Sequence, residues 1–181
     1  VPPASVAAEL QRMQQPANQR LTLALARQVA QREGIRAIID GDVAALGAGY
    51  VVTVRLVTAD SGLTLATSQR AVDGPKELIA AVDVMGRDLR AKLGESLRSV
   101  QRSPALEQVT TPSVEALRLY SEGARAYDVE SDFVTAVSRL KQAIALDSGF
   151  SMAWRKLSAV YGAGGFPQSM IDSAATNAYR F

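Results

Sequence analysis

The spacing of apolar residues changes twice along this 181-residue chain, from helical to strand-like near Ile35 and back to helical near Pro75. Residues 35–72 are rich in β-branched side chains and contain two turn signals, Gly47-Ala48-Gly49 and Asp60-Ser61-Gly62. This pattern predicts three antiparallel strands joined by tight turns. From Pro75 onward, apolar residues recur every three or four positions, which is the spacing of amphipathic helices. We therefore expect an α+β fold, in which a three-stranded antiparallel sheet with flanking helices is followed by an all-helical segment.

Helices are predicted on both sides of the sheet in sequence. Two short helices precede it, and Thr22 is placed to cap the second. After the strands, Pro75 opens a longer helix that is predicted to reach Gln101 and to cover the sheet. Gly86 and Gly94 weaken this helix, and close contact with a neighbouring element would explain their presence.

A proline-containing stretch separates the two halves of the chain. We expect residues 1–103 to form an α/β module, residues 104–111 to be a linker, and residues 112–181 to form about two helical hairpins. The chain begins without Met and stops inside a helical pattern. It is therefore expected to be a piece of a longer protein.

The composition excludes most catalytic and metal-binding classes. The chain has no Cys and no His, so thiolate nucleophiles, imidazole bases, disulfides and nearly all transition-metal sites are unavailable. The formal charge of +2, with the two signs interspersed, is not the pattern of a nucleic-acid-binding surface. No apolar run approaches the roughly 18 residues of a membrane span. We expect no enzyme activity, no cofactor, no nucleic-acid partner and no membrane span in this fragment.

Three short motifs suggest chemistry, and each has a simpler explanation. Asp40 and Asp42 share a strand face and could bind a hard cation, but Ca²⁺ prefers about six oxygen ligands. Ser138 and Lys141 have the spacing of serine acyl-transfer enzymes, yet the partner motifs of those enzymes are missing. The loop 162–165 is Gly-rich but lacks the Lys of a phosphate-binding loop, so we interpret it as an inter-helix connection.

The helical segment contains a more specific spacing of small, large and aromatic residues. These residues are Ala136, Leu140, Ala143 and Asp147-Ser148, followed by Trp154, Leu157 and Tyr161. Small residues let two helices approach closely, and the large residues fill the space between successive hairpins. The pattern resembles the tetratricopeptide repeat, with Ser in place of the usual Pro after the Asp. The resemblance implies that the first helix of each hairpin lines a groove for a protein or peptide partner. By position, Met152, Arg155 and Ala159 would face that groove, where Arg155 could pair with a carboxylate of the partner.

The amino-terminal half also resembles a known module. The residues that carry this similarity are the segments 34–43, 49–57 and 58–62, which read GIRAIIDGDV, GYVVTVRLV and TADSG. They resemble the TolB amino-terminal-like α/β module, and nearly the whole chain is similar to the region after the membrane helix in bacterial transmembrane serine/threonine kinases. The resemblance implies a strand and a helix upstream of Val1. It also implies a non-catalytic region outside the cytoplasm, in the periplasm, with a cytoplasmic location as the alternative.

Two functions from different classes remain open at this point. The first is an interaction or sensory region of a larger bacterial signalling protein, in which tetratricopeptide repeats bind a protein or peptide. The second is a small-ligand or solute-binding module with its pocket between the sheet and the helix at residues 75–101. Because fewer than three repeats are marginally stable alone, the hairpins are expected to lean on the 75–101 helix, on further repeats or on a second copy of the chain.

Overall fold

The computed structural model describes residues 1–96, 100 and 102–181. Helices α1 (Pro3–Arg12) and α2 (Leu23–Arg32) precede the strands β1 (Ala37–Leu46), β2 (Gly49–Thr58) and β3 (Thr64–Val72). A short 3-10 turn at Pro75–Glu77 leads into the helix α3 (Leu78–Lys92). The remaining helices are α4 (Leu106–Val109), α5 (Val114–Asp128), α6 (Phe133–Leu146), α7 (Ser151–Ala163) and α8 (Gln168–Arg180). The prediction of an α+β fold with a helical segment after the sheet is confirmed.

The three strands form a meander in which β2 is central and every pairing is antiparallel. The β1–β2 register runs from Ala37 opposite Thr58 to Leu46 opposite Gly49, so a two-residue turn joins these strands. Gly47 in that turn has φ of +60°, a conformation that glycine adopts without a Cβ clash. One face of β2 and β3 is covered by α3, whose Met85 is fully buried against Val52 and Val72.

The helix α3 ends earlier than the sequence predicts. Its last residue is Lys92, and Gly94 follows with φ of +86°, the left-handed conformation that commonly terminates a helix. The prediction that the helix continues toward Gln101 is therefore wrong, and Gln101 itself lies outside the described residues. Close packing also does not explain Gly86, because a Cβ built there would meet no atom within 4 Å.

The chain divides into two compact units. One comprises Val1–Asn18 together with Leu106–Phe181, and the other comprises Gln19–Ala105. The expected module of residues 1–103 differs from these units at its amino terminus, because α1 contacts α5 of the helical segment. Leu10 of α1 is almost fully buried, and the guanidinium of Arg125 donates to the Asn18 carbonyl at 3.3 Å.

Helices α5 to α8 pack on one another in sequence order around a continuous apolar core. Short connections between consecutive helices make them antiparallel neighbours, so α5–α6 and α7–α8 form two hairpins. Capping side chains help to fix where these helices begin, since the Ser113 hydroxyl accepts from the Ala116 amide and the Asp132 carboxylate accepts from the Thr135 amide. Within the described residues, no helix combines the length and apolar character needed to cross a membrane.

Candidate functional site

The residues of the repeat-like spacing meet in the core of the helical unit. Ala136, Leu140 and Ala143 of α6 are fully buried, and Leu157 and Tyr161 of α7 are nearly so. These five residues belong to one apolar cluster that spans both hairpins, which gives each of them a packing role.

Trp154 lies at the margin of that core and has a polar attachment as well. Its indole is half-buried and donates to the Ser148 carbonyl at 2.9 Å. Trp154 and Tyr161 also line an apolar hollow of about 270 Å³ between α6, α7 and α8, together with Leu157 and Met170. The hollow is continuous with the core, so the aromatic side chains serve packing there.

The turn between α6 and α7 is held by Asp147. Its Oδ1 accepts from the Gly149 amide at 3.0 Å, and its Oδ2 accepts from the Thr111 hydroxyl at 2.6 Å. Thr111 is fully buried, and its Oγ1 also accepts from the Ser113 amide at 3.1 Å. One carboxylate thereby ties the turn between the hairpins to the segment that precedes α5.

The three residues predicted to face a groove lie along one side of α7, at spacings of three and four. Met152 is half-buried and packs against the apolar core, whereas Arg155 and Ala159 are exposed. Among the described residues, the guanidinium of Arg155 has neither a hydrogen-bond partner nor an ion-pair partner. The structure therefore brings these residues together as a surface with a solvated cation, a small residue and an apolar base, which we call the α7 surface.

The neighbouring cation, Lys156, has a different environment. Its Nζ lies 2.9 and 3.2 Å from the two carboxylate oxygens of Asp128 at the end of α5, and 5.6 Å from the centre of the Tyr127 ring. Both charged side chains of this pair are more than three-quarters buried. Lys156 thus joins the two hairpins, while Arg155 remains available to a ligand.

The exposed side of α5 carries a charge network that our sequence analysis did not identify. Arg118 pairs with both Glu115 and Glu122, and Glu122 pairs with Arg139 of α6. The hydrogen bond from Arg118 lowers the pKa of the Glu115 carboxyl below its usual value. Spacings of three and four along one helix would have revealed the first two pairs. Because these groups neutralise one another, the surface of α5 offers less free charge than the α7 surface.

The two strand carboxylates considered as cation ligands are bound to an arginine. Arg55 on β2 lies opposite Asp40 in the register, and its guanidinium donates to Asp40 at 2.6 and 3.0 Å and to Asp42 at 3.1 Å. The cross-strand ion pairs explain the two acidic residues without a metal. The described parts of the chain contain no cluster of three or more residues suited to hold a metal ion.

The remaining motifs have structural surroundings of an ordinary kind. On the exposed side of α6, the Ser138 hydroxyl accepts a hydrogen bond of 3.1 Å from the side-chain amide of Gln142. Lys141 lines the apolar hollow. In the 162–165 loop, Gly165 has φ of +70° and lies in the connection between α7 and α8. A Cβ at Gly164 would come within 3.0 Å of Phe133 and Phe166, so close packing of those rings requires glycine there.

Comparison with known proteins identifies no relative of this chain. No family model matches it, and neither the curated proteins nor the solved structures contain a significant match.

Proposed function

We propose that the chain is a non-catalytic interaction region, and that its helical hairpins bind a protein or peptide partner through the α7 surface. The observation that carries the proposal is the exposed guanidinium of Arg155 between Met152 and Ala159, which has no partner in the described part of the chain. The spacing of small and large residues in the hairpin core supports the same function. This spacing resembles that of tetratricopeptide repeats, which commonly bind peptides.

Each residue of the α7 surface has a distinct expected role. The guanidinium of Arg155 can donate two parallel, charge-assisted hydrogen bonds to a carboxylate of the partner. Ala159, one turn further along α7, leaves room for the partner backbone to approach the helix. Met152 offers a flexible apolar contact that adapts to different side chains. An acidic peptide, or a free carboxyl terminus, is therefore the partner chemistry that we favour.

A binding experiment on an array of acidic and carboxyl-terminal peptides tests this proposal. We expect Arg155→Glu to weaken every captured peptide at least tenfold, and Arg155→Lys to give an intermediate loss because an ammonium cannot form the two-pronged bond. Lys141→Glu is the matched control, since it reverses an exposed charge on α6 of the same unit. Equal losses in both charge reversals, or full binding by Arg155→Glu, would exclude the α7 surface.

We further propose that the chain belongs to a larger bacterial signalling protein, with a transmembrane serine/threonine kinase as the parent that the sequence resemblance favours. We propose a periplasmic location for the region, with a cytoplasmic location as the alternative. A compartment-dependent reporter fused at the position of Phe181 in the full-length gene tests the location. Activity only outside the cytoplasm supports a receptor region, whereas activity only inside leaves a cytoplasmic scaffold and rejects the periplasmic sensor.

A further inference from the structure

The unit of residues 19–105 contains a groove between the edge of its sheet and α3. The helix packs more extensively on β3 than on the central strand β2, so one side of the helix lies beside the edge of the sheet. The resulting groove has a volume of about 790 Å³, and residues 67–71 of β3 form one of its walls. Val84, Asp88 and Ala91 line the opposite wall on α3. We call this surface the β3–α3 groove.

The outer edge of β3 has backbone groups that the sheet does not use. Among the described strands, β3 pairs only with β2. The Thr67 carbonyl instead accepts a hydrogen bond of 2.7 Å from Nζ of Lys92 on α3. A side chain thus supplies a donor where an additional strand would supply a backbone amide.

Positive charge dominates the lining of the groove. Arg70, Arg87 and Lys92 face a single acidic residue, Asp88, whose carboxylate lies 2.8 Å from Lys92 Nζ. Among the described residues, Arg70 has no hydrogen-bond or ion-pair partner. Arg87 pairs with Asp83 at 3.0 Å and lies 3.5 Å from the Ser103 carbonyl, but its buried Nε has no acceptor within the described part of the chain. Desolvation of part of a guanidinium costs free energy that a bound anion would offset.

The dimensions of the groove favour an extended chain over a small ion. The strand wall from Thr67 to Ala71 spans about 13 Å at roughly 3.3 Å per residue. The helical wall from Val84 to Lys92 spans about 12 Å at roughly 1.5 Å per residue. An extended segment of four or five residues matches these lengths, and its alternate side chains would point toward the helix.

We propose that the β3–α3 groove binds an extended acidic segment of a partner protein, which adds to β3 as a fourth strand and places carboxylates beside Arg70 and Arg87. Backbone hydrogen bonds to the edge supply affinity, and Val84 and Ala91 contact the apolar side chains between the carboxylates. The proposal concerns a different unit from the α7 surface, so either can fail without the other.

The test uses the full chain and a capped heptapeptide that alternates Glu and Val, with binding measured by calorimetry. We expect Arg70→Glu to weaken binding at least tenfold, and Arg70→Gln to give a smaller loss because it removes charge without reversing it. Arg36→Glu is the matched control, since it reverses an exposed charge of the same unit that has no ion-pair partner among the residues that the structure describes. Amide hydrogen exchange should show slower exchange within residues 67–71 when the peptide is bound.

Three further probes decide whether strand addition occurs. A peptide with Pro at its centre should bind at least tenfold more weakly, because proline lacks the backbone donor. A peptide with Lys in place of Glu should show no binding. If free glutamate or inorganic phosphate competed for the groove as strongly as the peptide does, the proposal would be overturned in favour of a small-anion site. Unchanged amide exchange within residues 67–71 would overturn strand addition.

Discussion

The hydrogen bond between Thr111 and Asp147 connects the start of the helical hairpins to the turn between them. The Thr111 hydroxyl donates to the carboxylate that holds the α6–α7 turn, and it accepts from the Ser113 amide at the start of α5. Replacing Thr111 by Val keeps the shape of the side chain but leaves the Asp147 carboxylate and the Ser113 amide without this hydrogen-bond partner. We expect Thr111→Val to lower the free energy of unfolding of this unit by about 1–3 kcal/mol, measured by denaturant titration. Thr64→Val, at an exposed strand position, should change stability by less than about 0.5 kcal/mol.

Asp132 gives the helical unit a dependence on pH. Hydrogen bonds from the Thr135 hydroxyl and from the Thr135 amide lower the pKa of the Asp132 carboxyl. Because the pKa of Asp132 is lower in the folded state, the stabilisation is complete above the ordinary pKa of an unfolded Asp and is lost as the pH falls through the pKa of the folded state. Asp132→Ala should therefore lower the melting temperature at pH 7 and have less effect at pH 2. Asp132→Asn should retain much of the helix capping at both pH 7 and pH 2. An equal loss of melting temperature at both pH values for Asp132→Ala would contradict a role for the titration of Asp132.

The sequence predicts some residue roles well and others not at all. Ala136, Leu140 and Ala143 are recognisable because their sizes repeat at helical spacing, which reports directly on burial. The distinction between Arg155 and Lys156 is not recognisable, because it depends on Asp128, which comes from a different helix. Pairing across helices is a property of the assembled fold, whereas periodicity is a property of the chain.

At the scale of elements, glycines with different surroundings should respond to alanine in opposite directions. A Cβ at Gly123 would lie 2.9 Å from Leu140 Cγ and 3.1 Å from the Ala136 carbonyl oxygen, where α5 crosses α6. We expect Gly123→Ala to destabilise the helical unit by about 1–3 kcal/mol through overpacking. Gly162 in α7 has open space, so Gly162→Ala should stabilise the same unit by up to about 1 kcal/mol. Thermal melts of the two variants measure the contrast, and the same sign for both would refute the packing explanation.

The strands were easier to predict than the end of α3. Two turn signals and β-branched residues fix three short strands locally, and the observed register follows from the two-residue turn at 47–48. In contrast, apolar residues continue at helical spacing beyond Gly94, so periodicity alone extends the helix too far. The left-handed conformation of Gly94 ends the helix at this point. Gly94 was the sequence signal for the end of the helix, but a glycine is compatible with several backbone conformations and does not by itself select one of them.

At the scale of the whole molecule, the first helix contacts an element more than a hundred residues away in sequence. Sequence patterns describe α1 as an amphipathic helix, but they do not say which apolar surface it covers. The structure places α1 against α5, so the helical unit is assembled from both ends of the chain. The sequence-based boundary near residue 103 therefore could not reveal that this unit has a second, amino-terminal part.

This assembly leads to a prediction about fragments. A fragment of residues 112–181 lacks both α1 and Thr111, so it loses the burial of Leu10 and the hydrogen bond to Asp147. Two hairpins without this support bury too little apolar surface to offset the entropy of ordering four helices. We expect low helicity of the fragment by circular dichroism. In the intact chain, Leu10→Ala should destabilise the helical unit by about 2–5 kcal/mol, which hydrogen exchange in α5 would report. A cooperative and strongly helical melt of the fragment would instead establish that the two hairpins form an independent unit, to which α1 is only an addition.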